Sequence, residues 1–203
     1  MARAAMRMAI AIGLAAAAMP AAAQMKSEGY EFLEAVRDRD GTVATDALRQ
    51  PGSVVVNSRD QTTGETGLHI VAKRRDAVWI KFLTQNGANP NIADKNGVTP
   101  LAIASNLGFV EGVEALLEAG ARVDEPSATG ETPLIAAIHR RDAAMVRMLL
   151  ANGANPDRTD NSGRSARDYA ELRGPGNRML AEIAEAEAAG DGGVAQKTYG
   201  PEI

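Results

Sequence analysis

A phrase that returns at a fixed interval constrains this chain more than any single residue does. Gly64, Gly97, Gly130 and Gly163 stand 33 residues apart. Each of the first three opens a near-copy of the same words: Gly64-Glu65-Thr66-Gly67-Leu68-His69, Gly97-Val98-Thr99-Pro100-Leu101-Ala102 and Gly130-Glu131-Thr132-Pro133-Leu134-Ile135. The blocks also close alike, on Asn86-Gly87-Ala88-Asn89, Ala119-Gly120-Ala121-Arg122 and Asn152-Gly153-Ala154-Asn155. A unit this short cannot bury an apolar face by itself, so copies must stack and share one continuous core.

Within a block the residue types spell two helices and a turn. Thr66, Thr99 and Thr132 are N-cap candidates, and Pro100 and Pro133 fall in the first helical turn, where the missing N–H costs nothing. Gly67 takes that place in the first copy and predicts a looser helix start. Small residues follow, at Val71-Ala72, Ala104-Ser105 and Ala137-Ile138, and allow close helix approach. The second helix of each block carries an apolar stripe at helical spacing: Trp79-Ile80-Leu83, Val113-Leu116-Leu117 and Val146-Leu149-Leu150. Gly87, Gly120 and Gly153 then stop these helices as left-handed caps.

The two phrases and their spacing resemble the ankyrin repeat, whose period is 33 and whose opening is Thr-Pro-Leu-His. The resemblance implies an all-α ankyrin-repeat solenoid of stacked helix-turn-helix units with β-hairpin-like turns. Five repeats are expected, at 28–63, 64–96, 97–129, 130–162 and 163–189. The first keeps only a degenerate pattern, with Tyr30, Phe32, Leu33 and Val36 and then Val43, Ala44, Ala47 and Leu48, and it closes on Val54-Val55-Val56-Asn57. The last is more polar, from Gly163-Arg164-Ser165 onward, and Gly174-Pro175-Gly176 shifts its register by about one residue. Its acidic residues Glu182, Glu185 and Glu187 are expected to face water, as a terminal repeat requires. A disordered tail is expected at 190–203, where apolar periodicity ends.

Residues 1–23 read as a secretory signal peptide. Arg3 and Arg7 precede a mostly apolar run from Met8 to Met19, and Ala21-Ala22-Ala23 offers a small-residue cleavage site. That run is shorter than the roughly 20 residues a membrane-spanning helix needs, although an uncleaved anchor is the alternative. The chain has no cysteine, so disulfides, thiolate catalysis and thiolate metal sites are excluded. Loss of Arg3 and Arg7 takes the formal charge from −4 to −6, which argues against binding nucleic acid through its phosphates. A periplasmic monomer is expected, with no membrane association once the leader is removed. A fully secreted protein is the alternative.

Catalytic chemistry has little to stand on. The two histidines, His69 and His139, lie 70 residues apart in different repeats, which makes a poor metal site. No phosphate-cradling loop and no nucleophile elbow is present. Asp94, Asp124, Asp157 and Asp160 recur near the closing turns, where acids hold backbone N–H groups. No enzyme activity and no cofactor are therefore expected. In the resemblance, His69 sits at the His of the repeat phrase, whose work is to hydrogen-bond the turns between repeats.

What the resemblance implies instead is a protein partner held on the concave face and hairpin tips. Carried over residue by residue, the inner-helix contact positions are Lys73 and Arg74, Asn106 and Leu107, His139 and Arg140, and Leu172 and Arg173. Arg75 and Arg141 follow two of these pairs. The tip positions are Thr62, Thr63 and Glu65, then Lys95, Asn96 and Val98, then Ala128, Thr129 and Glu131, then Asn161, Ser162 and Arg164. An acidic chain thus lines up cations along one ladder. They suit either an acidic segment of the partner or the negative ends of the helices that carry them. Whether binding inhibits, stabilises or targets the partner has no signature in the sequence, and a subunit or regulator of a periplasmic enzyme is an alternative.

Overall fold

The computed structural model describes residues 27–174 and 176–190. The expected leader at 1–23 lies outside them, as does the expected tail except for Gly190, which ends the last helix.

Ten α-helices form five antiparallel pairs among the described residues: α1 Glu28–Asp38 and α2 Gly41–Arg49, α3 Gly67–Lys73 and α4 Ala77–Gln85, α5 Pro100–Asn106 and α6 Val110–Glu118, α7 Pro133–Arg140 and α8 Ala143–Ala151, α9 Ala166–Glu171 and α10 Arg178–Gly190. A 3₁₀ turn at Val55–Asn57 follows the first pair. No strand forms among these residues, only an isolated antiparallel bridge between Thr159 and Ser165. The inner helices α1, α3, α5, α7 and α9 pack in a continuous row, with α4 on α6 and α8 on α10 behind them. The fold is all-helical, as expected.

Local chemistry accounts for the helix ends. Thr99 and Thr132 accept from the N–H groups of Ala102 and Ile135, and Pro100 and Pro133 begin their helices. At Gly67 the helix starts at the equivalent place without a proline. There His69 returns a bond, its Nδ1 accepting from the Thr66 N–H at 3.1 Å, so the looser start expected is offset by a second cap. A side chain at 67 would also press on Leu83, since an added Cβ would lie 3.2 Å from its Cδ1. Gly87, Gly120 and Gly153 close the outer helices at φ of 87°, 85° and 85°, which non-glycine residues adopt at a cost.

One core runs through the stack, from Phe32 and Val36 through Leu68, Leu83, Leu101, Leu116, Leu134 and Leu149 to Ile183. The one-residue slip in the last repeat is visible in it, because Met145 and Leu149 of α8 are followed 34 residues later by Met179 and Ile183 of α10. That slip corrects the expectation for Glu182. Its side chain is 6% exposed, and Arg147 clamps it with bonds of 2.8 and 2.6 Å. The guanidinium matches both carboxylate oxygens, which lets an acid sit where apolar packing would otherwise be needed.

Candidate functional site

The hairpin tips are built on a repeated carboxylate. Asp60 accepts from the N–H groups of Thr62 and Thr63, Asp94 from those of Asn96 and Val98, and Asp160 from those of Ser162 and Arg164. These bonds hold Asp60 down to about 2 and place Asp160 well below the ordinary carboxylate range. For Asp160 the largest causes are the hydroxyls of Ser162 and Tyr169. Ser127 stands at the equivalent position of the third tip and pairs with Thr129 instead. Neighbouring tips are joined where the N–H of Lys95 donates to Thr63 O and that of Asn161 to Thr129 O.

Behind the tips, His69 links two repeats. Its Nδ1 accepts from the Thr66 N–H, so Nε2 carries the proton and donates to Val98 O at 2.9 Å. Burial holds the ring below its ordinary value, which keeps it neutral and preserves both bonds. The structure therefore gives His69 a bridging role between turns. Among the described residues no group of three or more His, Asp or Glu is placed to hold a metal ion.

The cations of the inner-helix ladder are largely engaged within the stack. Arg74 is 18% exposed in its side chain, donates to Val36 O at 2.6 Å and lies over Trp79. Arg140 donates to Asn106 O at 3.0 Å and Arg173 to His139 O at 3.5 Å. Each reaches back to the carbonyl end of the preceding inner helix, where a positive charge complements the dipole. Arg75 reaches forward, to Gly108 O and the Phe109 ring. These cations thus meet the carbonyl ends of neighbouring inner helices as well as the last turns of their own, where Lys73, His139 and Arg140 sit.

Charge along the face alternates with a gap. Lys73 pairs with Glu65, and His139 Nδ1 lies 3.2 Å from Glu131. His139 also packs edge-on against Tyr169, and the Arg164 guanidinium lies over that ring, 5.9 Å from its centroid. Between these pairs, the same two positions are Val98 and Asn106, beside the partly exposed Leu107. A cleft of about 290 Å³ opens there, with Ala102, Pro133 and Ala136 as its floor and Asn96, Asn106, Thr129 and Glu131 around it. Among the lining residues Glu131 alone ionises, so the cleft offers no acid–base pair. Val98, Asn106 and Glu131 are legible as contact positions in the sequence, whereas the floor is not, because its alanines look like ordinary core. The signal that could have found it is the break in the Glu–Lys/His pairing.

Comparison with known proteins agrees with this architecture. The family described as ankyrin repeats (3 copies) matches residues 32–127, and that described as ankyrin repeats (many copies) matches 116–170. The chain is 32% identical over 107 residues to a transient receptor potential cation channel subfamily A member 1 homolog of Caenorhabditis elegans, covering 53% of this chain and 9% of the channel protein. It is 32% identical over 76 residues to oxysterol-binding protein homolog 1 of Saccharomyces cerevisiae, covering 36% and 6%. It is 38% identical over 61 residues to a BTB/POZ domain and ankyrin repeat-containing protein of Oryza sativa subsp. japonica, covering 30% and 12%. The chain thus spans only a small part of the length of these relatives. Ankyrin-repeat domains are typically binding modules rather than catalysts. With matches that run together from residue 32 to 170 and helix pairs stacked in that register, the chain belongs to the ankyrin-repeat family.

Proposed function

We propose that this protein is a non-enzymatic scaffold of the periplasm, binding a protein partner through its inner-helix face and hairpin tips. The observation that carries the reading is the bonding of Arg74, Arg140 and Arg173 to carbonyls of the preceding repeat. A face locked in this way is ordered before the partner arrives, so binding spends little energy on ordering side chains. The exposed cations Lys73, Arg140, Arg141 and Arg173 speed encounter with an acidic segment and make binding weaken with salt. Residues Glu65, Val98, Glu131 and Arg164 complete the contact surface at the tips, with Asn106, Leu107 and His139 between. Export rests on the leader sequence, with secretion into the medium as its alternative.

The test is affinity capture from an osmotic-shock extract by the protein and by a variant carrying Lys73→Glu, Arg140→Glu and Arg173→Glu. Arg74 stays unchanged because its guanidinium belongs to the fold. A partner retained by the wild type and lost by the variant supports the reading. Equal retention removes the cations from the contact surface. Recovery of the protein in culture medium rather than in osmotic-shock fluid replaces the periplasm with the secreted alternative.

A further inference from the structure

Resting on that reading, we propose that the cleft between repeats 97–129 and 130–162 is the anchor pocket of the face. It takes one apolar side chain of leucine or methionine size from an extended partner segment, and Arg140 takes a carboxylate beside that side chain.

The cleft exists because the repeat pattern is broken at one place. In repeats 64–96 and 130–162 the first and ninth positions after the opening glycine pair across the face, as Glu65 with Lys73 and Glu131 with His139. In repeat 97–129 they are Val98 and Asn106, which form no such bridge, so no side-chain pair roofs the space. The floor beneath consists of Ala102 and Ala136, whose methyl groups leave room for an added side chain. An open slot of about 290 Å³ with an apolar floor favours an apolar occupant, since seating one takes the occupant's own apolar surface out of water.

The surroundings of the cleft specify the rest of the ligand. Arg140 does not line the cleft, but its guanidinium donates a single bond to the carbonyl of Asn106, which does. A guanidinium has five N–H donors, so most remain for a carboxylate held in a fixed direction. The side-chain amides of Asn96 and Asn106 border the cleft, are exposed, and have no hydrogen-bond partner among the described residues. A side-chain amide offers both donor and acceptor, which matches the free N–H and C=O of an extended backbone. A helical segment has already spent those groups on itself, and this argues for an extended occupant.

A peptide series reads this directly. Fluorescent peptides of Gly and Ser carry one position varied through Ala, Val, Leu, Met and Phe, next to Asp or Asn, and anisotropy gives Kd with the protein. Leu or Met is expected to bind about tenfold more tightly than Ala, the effect of burying such a side chain, and Asp more tightly than Asn. Replacing Val98→Glu together with Asn106→Lys writes the neighbouring repeats' ion pair across the cleft and is expected to abolish the apolar preference. Arg140→Gln is expected to abolish the Asp preference. Thermal unfolding of both variants checks that the stack is intact, and the wild-type series stands without them. If Asp peptides bind with no preference at the varied position, or the preference survives V98E/N106K, the anchor pocket is overturned while the face remains a binding surface. If Asp and Asn peptides alike fail to bind, both this proposal and the reading it rests on fall.

Discussion

Between repeats 64–96 and 97–129, and again between 97–129 and 130–162, the described residues form no ion pair, whereas both outer interfaces carry them. Arg39 pairs with Asp76 at the first junction, and at the last Arg147 pairs with Glu182 and Arg167 with Asp157. The interior junctions rely on hydrogen bonds with one end on the backbone: His69 to Val98 O, Asn91 to Gly120 O, Arg140 to Asn106 O, and the N–H of Asn155 to Asp124. Carboxylates differ in the same sense. Burial pushes Asp124 up, while guanidinium partners hold Asp157 and Glu182 below their ordinary values. An interior repeat is covered on both sides, so apolar packing sets its position and polar groups need only satisfy the backbone. An end repeat is covered on one side, and charge pairs supply what the missing neighbour would have given.

The comparison predicts that damage spreads differently from the two regions. Leu134 is fully buried in α7, and Leu134→Ala should cost about 2–5 kcal/mol. Urea unfolding should show one transition moved to lower denaturant; a separate early transition would mean that the interior is not the cooperative unit.

His69→Ala should cost about 1–3 kcal/mol, because Val98 O and the Thr66 N–H both lose their partner. Burial holds the folded ring below the ordinary histidine value, so the unfolded chain takes up a proton more readily than the folded one. Stability is then complete above about 6.5 and declines as pH falls below it. Unfolding midpoints measured across that range should fall in the wild type and flatten in the variant. A wild type with no such decline would remove His69 from its bridging role.

At the C-terminal end the effect should be local. Arg147→Ala leaves the Glu182 carboxylate without its clamp, and amide exchange should quicken in α10 while α5 and α7 keep their protection. Acid should reproduce this in the wild type. Glu182 is held below 4.5, so the contribution is present above that value and is lost as pH falls below it. Equal acceleration in α5 and α10 would erase the distinction between the regions.

The smallest effect is a gain. Arg141 holds φ of 59° at the turn where Gly108 and Gly174 stand in neighbouring repeats; its N–H donates to Ile138 O, but its side chain makes no hydrogen bond or ion pair among the described residues. Arg141→Gly should stabilise by a few tenths to about 1 kcal/mol, the left-handed penalty less the freedom glycine adds to the unfolded chain. Arg75→Gly should gain less, since Arg75 also holds Gly108 O and covers Phe109.

Much of the fold was legible because its causes are local. A threonine before a proline caps a helix whatever lies beyond it, and a glycine after an apolar stripe ends one. His69 could be read as a bridge from its place in the phrase. Glu182 could not be read as buried, because the clamp that permits burial comes from Arg147, 35 residues away in the chain. Arg74 was legible as a cation on the ladder, but its commitment to Val36 O depends on how closely α1 and α3 approach. The cleft was hidden for a similar reason, since Ala102 and Ala136 are as buried as core alanines and only their place beneath the cleft sets them apart.

The sequence by itself determined the repeat length, the helix boundaries, the all-helical stack and the identity of the residues that face one another at equivalent positions. Those follow from caps, turns and apolar spacing, which act over a few residues and are copied with the period. Only the tertiary structure decided which charges are spent inside the molecule and which remain for a partner. That division depends on distances between residues about 34 apart in the chain, set by the packing of one repeat on the next.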